Sequence, residues 1–139
     1  MALPSRIKTR PAAADLAFAD IRTGATYTFT RTVTEQDVAA FAALTGDYNP
    51  LHMQDGVAHG LLVGSLFSRL VGMLCPGRYS LYLSQTLQWR RPVQCGQKVQ
   101  VQGTVAATHA SVRVVRLKTR VLVGGQVAVD GEARVRVLR

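Results

Sequence analysis

The chain has 139 residues, of which 47% are hydrophobic and 18% are charged, and its formal net charge is +9 at pH 7. This length fits one domain with a real hydrophobic core, and the composition excludes disorder along most of the chain. Two cysteines without metal-ligand spacing predict reduced thiols and not a disulfide framework or a zinc site. The longest apolar stretch, residues 60–75, is too short and too polar to span a membrane, so we expect a cytoplasmic protein.

The N-terminal residues 1–15 are expected to form a flexible basic arm ahead of a single domain at 16–139. The arm carries Arg6, Lys8 and Arg10 and has no acidic residue before its last position. It lacks an amphipathic stripe, which favours a plain extended arm over a mitochondrial targeting signal.

The excess of basic residues indicates what kind of partner the surface suits. Phosphate-bearing ligands and acidic proteins are attracted by a positive surface, and nucleic acid must be considered for the same reason. The basic residues are scattered, with no run longer than two and no interleaved aromatic residues of the kind that single-strand binders use. A nucleic-acid module therefore rests on charge alone, and we expect neither a nucleic-acid nor a membrane partner.

The first predicted elements are a strand, a helix and a loop. Tyr27, Phe29 and Arg31 alternate with threonines before Val33, which predicts a strand. Thr34 and Asp37 have the spacing of a helix N-cap pair, and Gly46 marks the end of that helix. The segment 47–56 contains Asn-Pro and Asp-Gly, which predicts a loop.

The second half of the chain predicts one helix followed by strands. Residues 58–74 are apolar on nearly every side, which indicates a helix wrapped by other structure, and Cys75-Pro76-Gly77 ends it. Four strands are predicted, at 79–90, 98–106, 111–123 and 126–138. This order of elements implies an α+β fold, in which a strongly curved antiparallel sheet wraps a central apolar helix.

Titratable groups are concentrated in the loop. Asp47 and His52 are five residues apart, and Pro50 biases Asn49 away from helical angles, so we expect an extended segment. A carboxylate beside an imidazole can orient and deprotonate a water, because the Asp sets the His tautomer and stabilises its charged form. The alternative is that both residues are ordinary turn or surface groups.

A second element with chemical potential is His59-Gly60 at the start of the apolar helix. Free backbone amides and the positive end of the helix dipole can hold a developing oxyanion there. Gly60 lets a ligand approach the backbone closely. The alternative is a plain helix start, and the residues alone leave both interpretations open until the geometry is known.

Taken together, the two elements resemble the hydratase signature of the MaoC-like dehydratases. The resemblance rests on Asp47-Tyr48-Asn49-Pro50-Leu51-His52 followed by His59-Gly60, and it extends over about residues 20–139. It implies the hotdog fold and the reversible hydration of a trans-2-enoyl thioester to the (R)-3-hydroxyacyl thioester. The substrate would be carried on coenzyme A or on an acyl carrier protein, with no cofactor and no metal.

The resemblance also implies roles for individual residues and an assembly. Asp47 and His52 would activate the water, and the Gly60 amide would donate to the thioester carbonyl. The residues that would bind substrate or support the site are Asn49, His59 and Ser68. A homodimer is expected, since a lone curved sheet would leave its edges exposed.

The chain departs from the family pattern in the connection between the two motifs. In the family an overhanging loop makes this connection about ten residues longer, whereas here only residues 53–58 lie between His52 and His59. The shortening is expected to open the acyl pocket, to displace Asp47 and His52 from Gly60, or to abolish activity. The alternatives to a hydratase are therefore an acyl-thioester-binding hotdog protein and an acyl-CoA thioesterase.

Overall fold

The N-terminal segment is described only in part. The computed structural model describes residues 10–139, so most of the predicted arm lies outside the described residues. The end of that arm is bound to the domain: the Ala14 amide donates to the Met73 carbonyl, and Asp15 forms an antiparallel bridge with Gly77. Arg139 also pairs with Asp15 at 2.8 Å. Asp15 is therefore part of the domain and not of a free arm.

The strands form one antiparallel sheet. In chain order the strands are β1 Thr26–Thr32, β2 Ser80–Gln85, β3 Gln88–Trp89, β4 Lys98–His109, β5 Val114–Val123 and β6 Gln126–Val137. Their order in the sheet is β1-β4-β5-β6-β2, and β3 also pairs with β6. Register shifts interrupt the β4–β5, β5–β6 and β2–β6 ladders, and such irregularities increase the twist and bend of a sheet.

The prediction of one continuous strand over 79–90 is wrong. The strand is divided between β2 and β3 at residues 86 and 87: the Thr86 amide still donates to the Glu132 carbonyl of β6, but the Thr86 carbonyl lies over Gly131. A Cβ on Gly131 would lie only 1.8 Å from that carbonyl oxygen. The break therefore depends on a glycine in a different strand.

The helical elements are short apart from α1. They are a 3-10 turn Phe18–Asp20, α1 Glu35–Thr45, α2 Pro50–Met53, α3 Gly60–Ser65, α4 Phe67–Arg69 and a π-helical turn Leu70–Leu74. The last three are continuous with one another and are called the central helical segment, residues 60–74. Among the helices of the described residues, none is long and apolar enough to cross a membrane.

Helix α1 begins and ends where the sequence predicts. The Thr34 hydroxyl accepts the Asp37 amide at 3.1 Å, and the Asp37 carboxylate accepts the Thr34 amide at 3.0 Å. Gly46 follows the helix with φ of 80°, a left-handed conformation that glycine adopts without a steric penalty.

The core lies between the central helical segment and the inner face of the sheet. Val63, Phe67 and Leu70 of the segment are buried against alternate residues of the strands, such as Val101 and Val121. Full burial of side chains of this size contributes roughly 1.5–3 kcal/mol each. This arrangement confirms the predicted α+β architecture.

The expectation that the helix is wrapped on nearly every side is wrong. Leu61, Ser65 and Ser68 are exposed. Their spacing of four and three residues places them on one face of the helix, which the sheet does not cover. The central helical segment therefore has an open stripe along one side.

Candidate active site

The loop between the two motifs contains a helical turn. Asn49 is the N-cap of α2, and its side-chain carbonyl accepts the Leu51 amide at 3.0 Å. Pro50 is the first residue of that helix, where its missing amide hydrogen has no consequence. The prediction of an extended segment holds for Asn49 but is wrong beyond it, and the turn brings His52 back toward Asp47.

The tautomer of His52 is fixed by a backbone carbonyl. His52 Nδ1 lies 2.7 Å from the Val57 carbonyl oxygen. Because a carbonyl only accepts hydrogen bonds, Nδ1 donates, and Nε2 of the neutral ring keeps a free lone pair. Val57 therefore sets the tautomer, and not Asp47 as expected from the sequence.

The free nitrogen of His52 faces the Asp47 carboxylate. His52 Nε2 and Asp47 Oδ2 are 3.8 Å apart, which is longer than a direct hydrogen bond. A single water oxygen placed beside this gap would be within hydrogen-bond reach of both atoms. The Asp47 side chain is 50% exposed and that of His52 only 12%, so the carboxylate meets solvent while the imidazole is largely covered.

The short connection 53–58 is anchored at its C-terminal end. The Val57 amide donates to the Leu51 carbonyl at 3.2 Å, and Val57 forms an antiparallel bridge with Gln94. The Ala58 amide donates to the Val93 carbonyl at 2.8 Å. These contacts hold the carbonyl that orients His52, so the shortening leaves the imidazole fixed in place.

His59 links the start of the central helical segment to the loop. Its side chain is buried, its Nε2 donates to the Asp47 backbone carbonyl at 2.9 Å, and its ring stacks on His52 with centroids 3.9 Å apart. Within the described residues its Nδ1 has no hydrogen-bond partner. His59 therefore contacts both members of the Asp47–His52 pair through its ring and one nitrogen.

One cavity brings most of the predicted site residues together. It has a volume of about 270 Å³, and its lining includes Asp47, His52, His59 and Gly60. Gly60 is the first residue of α3, so its amide has no acceptor within the helix. We call this space the polar cavity. The short connection was expected to displace Asp47 and His52 from Gly60 as one of its effects. Instead, all three residues line the same cavity.

Two predicted supporting residues lie outside the lining of the polar cavity. Asn49 acts on the backbone of α2, as described above, and its side chain is exposed. Ser68 is exposed on the open stripe, eight residues beyond Gly60, which corresponds to about 12 Å along a helix.

Sequence reasoning missed Trp89. Its indole Nε1 donates to the Gly60 carbonyl at 2.8 Å, and a Cβ on Gly60 would lie 2.8 Å from the same nitrogen. The glycine thus makes room for the indole, and not for a ligand as predicted from the sequence. The only available signal was that Trp89 is the one tryptophan of the chain, and no local pattern connects it to Gly60.

A second cavity lies beside the polar cavity. It has a volume of about 310 Å³ and shares His52, Gly60 and Trp89 with the polar cavity. We call it the valine cavity because of its apolar wall. That wall is formed by Val57, Ala58, Val63, Val93 and Val129.

Three side chains of the polar cavity are also metal-ligand types. Asp47, His52 and His59 each offer one ligand atom, and these atoms lie within 4.8 Å of one another. Hydrogen bonds to carbonyls occupy His52 Nδ1 and His59 Nε2, and the remaining nitrogen of His59, Nδ1, is buried, so His52 Nε2 and the Asp47 carboxylate, 3.8 Å apart, are the pair that can share a water. Protein zinc sites use three or four ligands, whereas activation of a water requires one base and one orienting group. The arrangement is therefore suited to moving a proton to or from a water.

Comparison with known proteins gives consistent matches. Residues 19–129 match the family model described as MaoC like domain. The chain is 41% identical over 112 residues to an (R)-specific enoyl-CoA hydratase of Aeromonas caviae, covering 73% of this chain and 84% of that protein. It is 37% identical over 132 residues to a 3-hydroxybutyryl-CoA dehydratase of Methylorubrum extorquens, covering 88% and 84%. An unliganded R-hydratase structure from Pseudomonas aeruginosa has a TM-score of 0.85 and 32% identity, covering 90% and 87%, which confirms the hotdog fold.

Proposed function

The chain belongs to the MaoC-like domain family, and we propose that it is a hydro-lyase that reversibly adds water to a trans-2-enoyl thioester. The product is the (R)-3-hydroxyacyl thioester. The observation that carries this proposal is the polar cavity, where Asp47, His52 and Gly60 line one space. Relatives that match most of the chain are named hydratases and dehydratases.

In the proposed reaction, Asp47 and His52 hold and activate the water. His52 Nε2 has the free lone pair and takes a proton while the hydroxyl adds to C3 of the substrate. Negative charge then moves to the thioester carbonyl oxygen, and the Gly60 amide at the helix start donates to it. The Asp47–His52 pair returns a proton to C2. Water thus supplies both added groups, and the reaction balances without a redox cofactor.

The supporting roles follow from the contacts of each residue. His59 would keep the Asp47 backbone and the His52 ring in place, and Asn49 would act by capping the turn that carries His52. Ser68 would act from the open stripe of the central helical segment, where a second subunit of the homodimer inferred below would cover it.

The proposal is tested by removing each member of the pair. Asp47→Asn and His52→Gln should each lower kcat about 10²-fold to 10⁴-fold, the usual contribution of general acid–base catalysis. The measurement is the loss of enoyl-thioester absorbance with crotonyl-CoA. Asp55→Asn is the matched control, since Asp55 is an exposed acid of the same loop that does not line the polar cavity. Equal rates for Asp47→Asn and Asp55→Asn would overturn the assignment.

A thioesterase or a binding protein is the second candidate, and it rests on the shortened connection. Release of free thiol from crotonyl-CoA, followed with a thiol reagent, separates hydrolysis from hydration. The anchored Val57 carbonyl leaves His52 oriented despite the missing residues, which favours a catalytic site over a binding protein.

We also infer a homodimer that forms through the β2 edge. Strand β2 pairs with β6 on one side only within the described sheet. Leu81, Tyr82 and Leu83 of this edge strand are exposed. A two-fold partner would cover such an edge together with the open stripe of the central helical segment.

The carrier of the substrate is coenzyme A or an acyl carrier protein. The net charge of +9 favours either one, because both present phosphate or acidic groups. A cytoplasmic location remains a prediction, and cell fractionation tests it.

A further inference from the structure

The outer face of the sheet, turned away from the central helical segment, is strongly basic where β5 and β6 pair. Side chains of a strand alternate between the two faces, so every second residue of 116–120 and of 130–136 points outward. These outward positions hold five basic and two acidic residues, namely Arg116, Lys118, Arg120, Arg134, Arg136, Asp130 and Glu132. The proposed reaction, which takes place at the start of the central helical segment, makes no use of them.

Two of the cross-strand pairs on this face are complementary in charge. In the register of β5 and β6, Lys118 lies opposite Glu132 and Arg120 lies opposite Asp130. Opposite charges directly across an antiparallel pair stabilise it, whereas like charges in the same position destabilise it. These two rows of the sheet follow that rule.

The next row breaks the rule. Arg116 lies directly opposite Arg134, and Arg136 follows two positions later on the same face. We call these three residues the arginine cluster. Its only ion pair among the described residues joins Arg116 Nη1 to the Glu132 carboxylate at 3.4 Å. Arg134 and Arg136 are exposed, and no carboxylate within residues 10–139 pairs with either.

One donor of the cluster is buried without an acceptor. Arg116 Nε has no hydrogen-bond partner in the part of the chain that the structure describes, although it is shielded from solvent. Buried polar groups are nearly always paired in proteins, and an arginine does not lose its proton to avoid the cost. The Arg116 side chain as a whole is 39% exposed, so its guanidinium group can be reached from solvent. The cluster therefore has more N–H donors than the chain has acceptors for them.

A phosphate group matches what the cluster lacks. It carries close to two negative charges and three strong acceptor oxygens, whereas a carboxylate carries one charge and two oxygens. Guanidinium groups bind phosphate through two parallel hydrogen bonds, and a dianion between two facing arginines offsets their repulsion. Ser84 of β2, opposite Arg134 on its other side, adds an exposed hydroxyl to the same row.

We propose that the arginine cluster binds a phosphate dianion, either free or as a phosphomonoester on a larger molecule. Arg116 and Arg134 hold the phosphate between them, and Arg136 adds a third positive charge beside it. The site does not depend on the proposed hydration, because it lies on the opposite face of the sheet. In the inferred homodimer the partner covers the β2 edge and the open stripe, so the outer face remains open.

Thermal unfolding of the full chain in inorganic phosphate tests the site, with chloride at the same ionic strength as the reference. Phosphate should raise the unfolding midpoint of the natural chain in a saturable manner, because it binds the folded state alone. Arg134→Gln should weaken the binding, measured by calorimetric titration, about tenfold or more, since it removes charge-assisted hydrogen bonds. Arg120→Gln is the matched control: it removes an arginine of the same face that lies opposite an acid, and it should keep the phosphate affinity.

Arg134→Glu separates binding from the relief of repulsion. This change converts the facing pair into a complementary one, so the variant should unfold at a higher temperature than the natural chain in phosphate-free buffer. Phosphate should then give it no saturable gain. The general stabilising effect of phosphate salts acts on all variants alike. A gain of the same size in the natural chain, Arg134→Gln and Arg134→Glu would therefore overturn the proposal.

Coenzyme A and dephospho-coenzyme A, which lacks only the 3′-phosphate of the ribose, identify the source of the phosphate. If coenzyme A is the source, it should bind about tenfold tighter than the dephospho form, and Arg134→Gln should remove that difference. If the source is a different phosphate, the two forms should bind equally while inorganic phosphate still distinguishes Arg134→Gln from the natural chain. The proposal fails if neither inorganic phosphate nor coenzyme A distinguishes them.

Discussion

His52 is positioned by neighbours that act on different parts of its ring. The Val57 carbonyl accepts from Nδ1, the His59 ring stacks on one face, and the Asp47 carboxylate lies beyond Nε2. Each contact restricts a different motion of the imidazole. The ring is thus held by contacts that leave its basic nitrogen free, which is what a general base requires.

The Trp89–Gly60 contact gives a prediction at the same scale. In Gly60→Ala the new methyl would lie 2.8 Å from indole Nε1, so the indole must move and its hydrogen bond is lost. We expect a changed Trp89 emission and a loss of hydration activity of about tenfold or more, since misplaced groups near the reacting atoms are costly.

The control for this prediction is the same change combined with Trp89→Ala, which removes the group that clashes. In that background Gly60→Ala should cost far less activity than in the natural chain, and the difference measures the coupling between the two residues. Additive losses would show that the methyl acts on something other than the indole.

Among the elements, α1 is the one whose ends are most clearly dictated by local chemistry. Burial acts against the charged form of Asp37, but hydrogen bonds from the Thr34 amide and hydroxyl and the charge of Arg31 outweigh it. The net effect holds the pKa of Asp37 below its usual value of 3.8. Its carboxylate therefore stabilises the folded state while it is ionised.

This predicts a pH-dependent cost for Asp37→Asn. At pH 7 the variant should lose about 0.3–1 kcal/mol of unfolding free energy, the usual contribution of a negative charge in the first turn of a helix. Because the folded-state pKa is lowered, the carboxylate contributes fully above pH 3.8, and its contribution disappears as the pH falls through the folded pKa.

Urea unfolding of both proteins at several pH values checks the prediction, with Asp55→Asn as the exposed control. The gap between Asp37→Asn and the natural chain should close in acid. A gap that stays constant down to the lowest pH would contradict a charge-dependent role.

What the sequence predicts well is what neighbouring residues determine. The cap of α1, its glycine end and the approach of Asp47 to His52 involve residues a few positions apart. The division of β2 from β3 depends on Gly131, and the space at Gly60 depends on Trp89, 29 residues along the chain. Such contacts arise only when the sheet closes on the central helical segment, and no local spacing encodes them.

At the scale of the whole molecule, the two edges of the sheet differ in the side chains that they expose. Strand β2 shows Leu81 and Leu83, and Leu61 is exposed on the open stripe. The opposite edge of the sheet, β1, exposes threonines instead, namely Thr26, Thr28 and Thr30. This difference is the reason for assigning the dimer contact to the β2 edge and not to the β1 edge.

Sedimentation tests the assembly. The natural chain should sediment at twice its mass of 15.1 kDa, and Leu81→Lys combined with Leu83→Lys should shift it toward the single-chain mass, because charges on an edge strand oppose pairing. Val112→Lys, at an exposed position of the turn between β4 and β5 and not on strand β2, should leave the dimer intact. A natural chain that sediments only at 15.1 kDa would contradict the inference.

Because the short connection is anchored at its C-terminal end, the position of His52 does not depend directly on the length of the connection. The carbonyl that orients His52 belongs to Val57, and the ties of Val57 and Ala58 to the strand region are independent of the residues before them. The carbonyl that orients His52 can thus keep its position when the number of residues before Val57 changes. Evolution of the fold can vary this segment to reshape the space beside the reacting atoms, while the proton-transfer geometry is inherited unchanged.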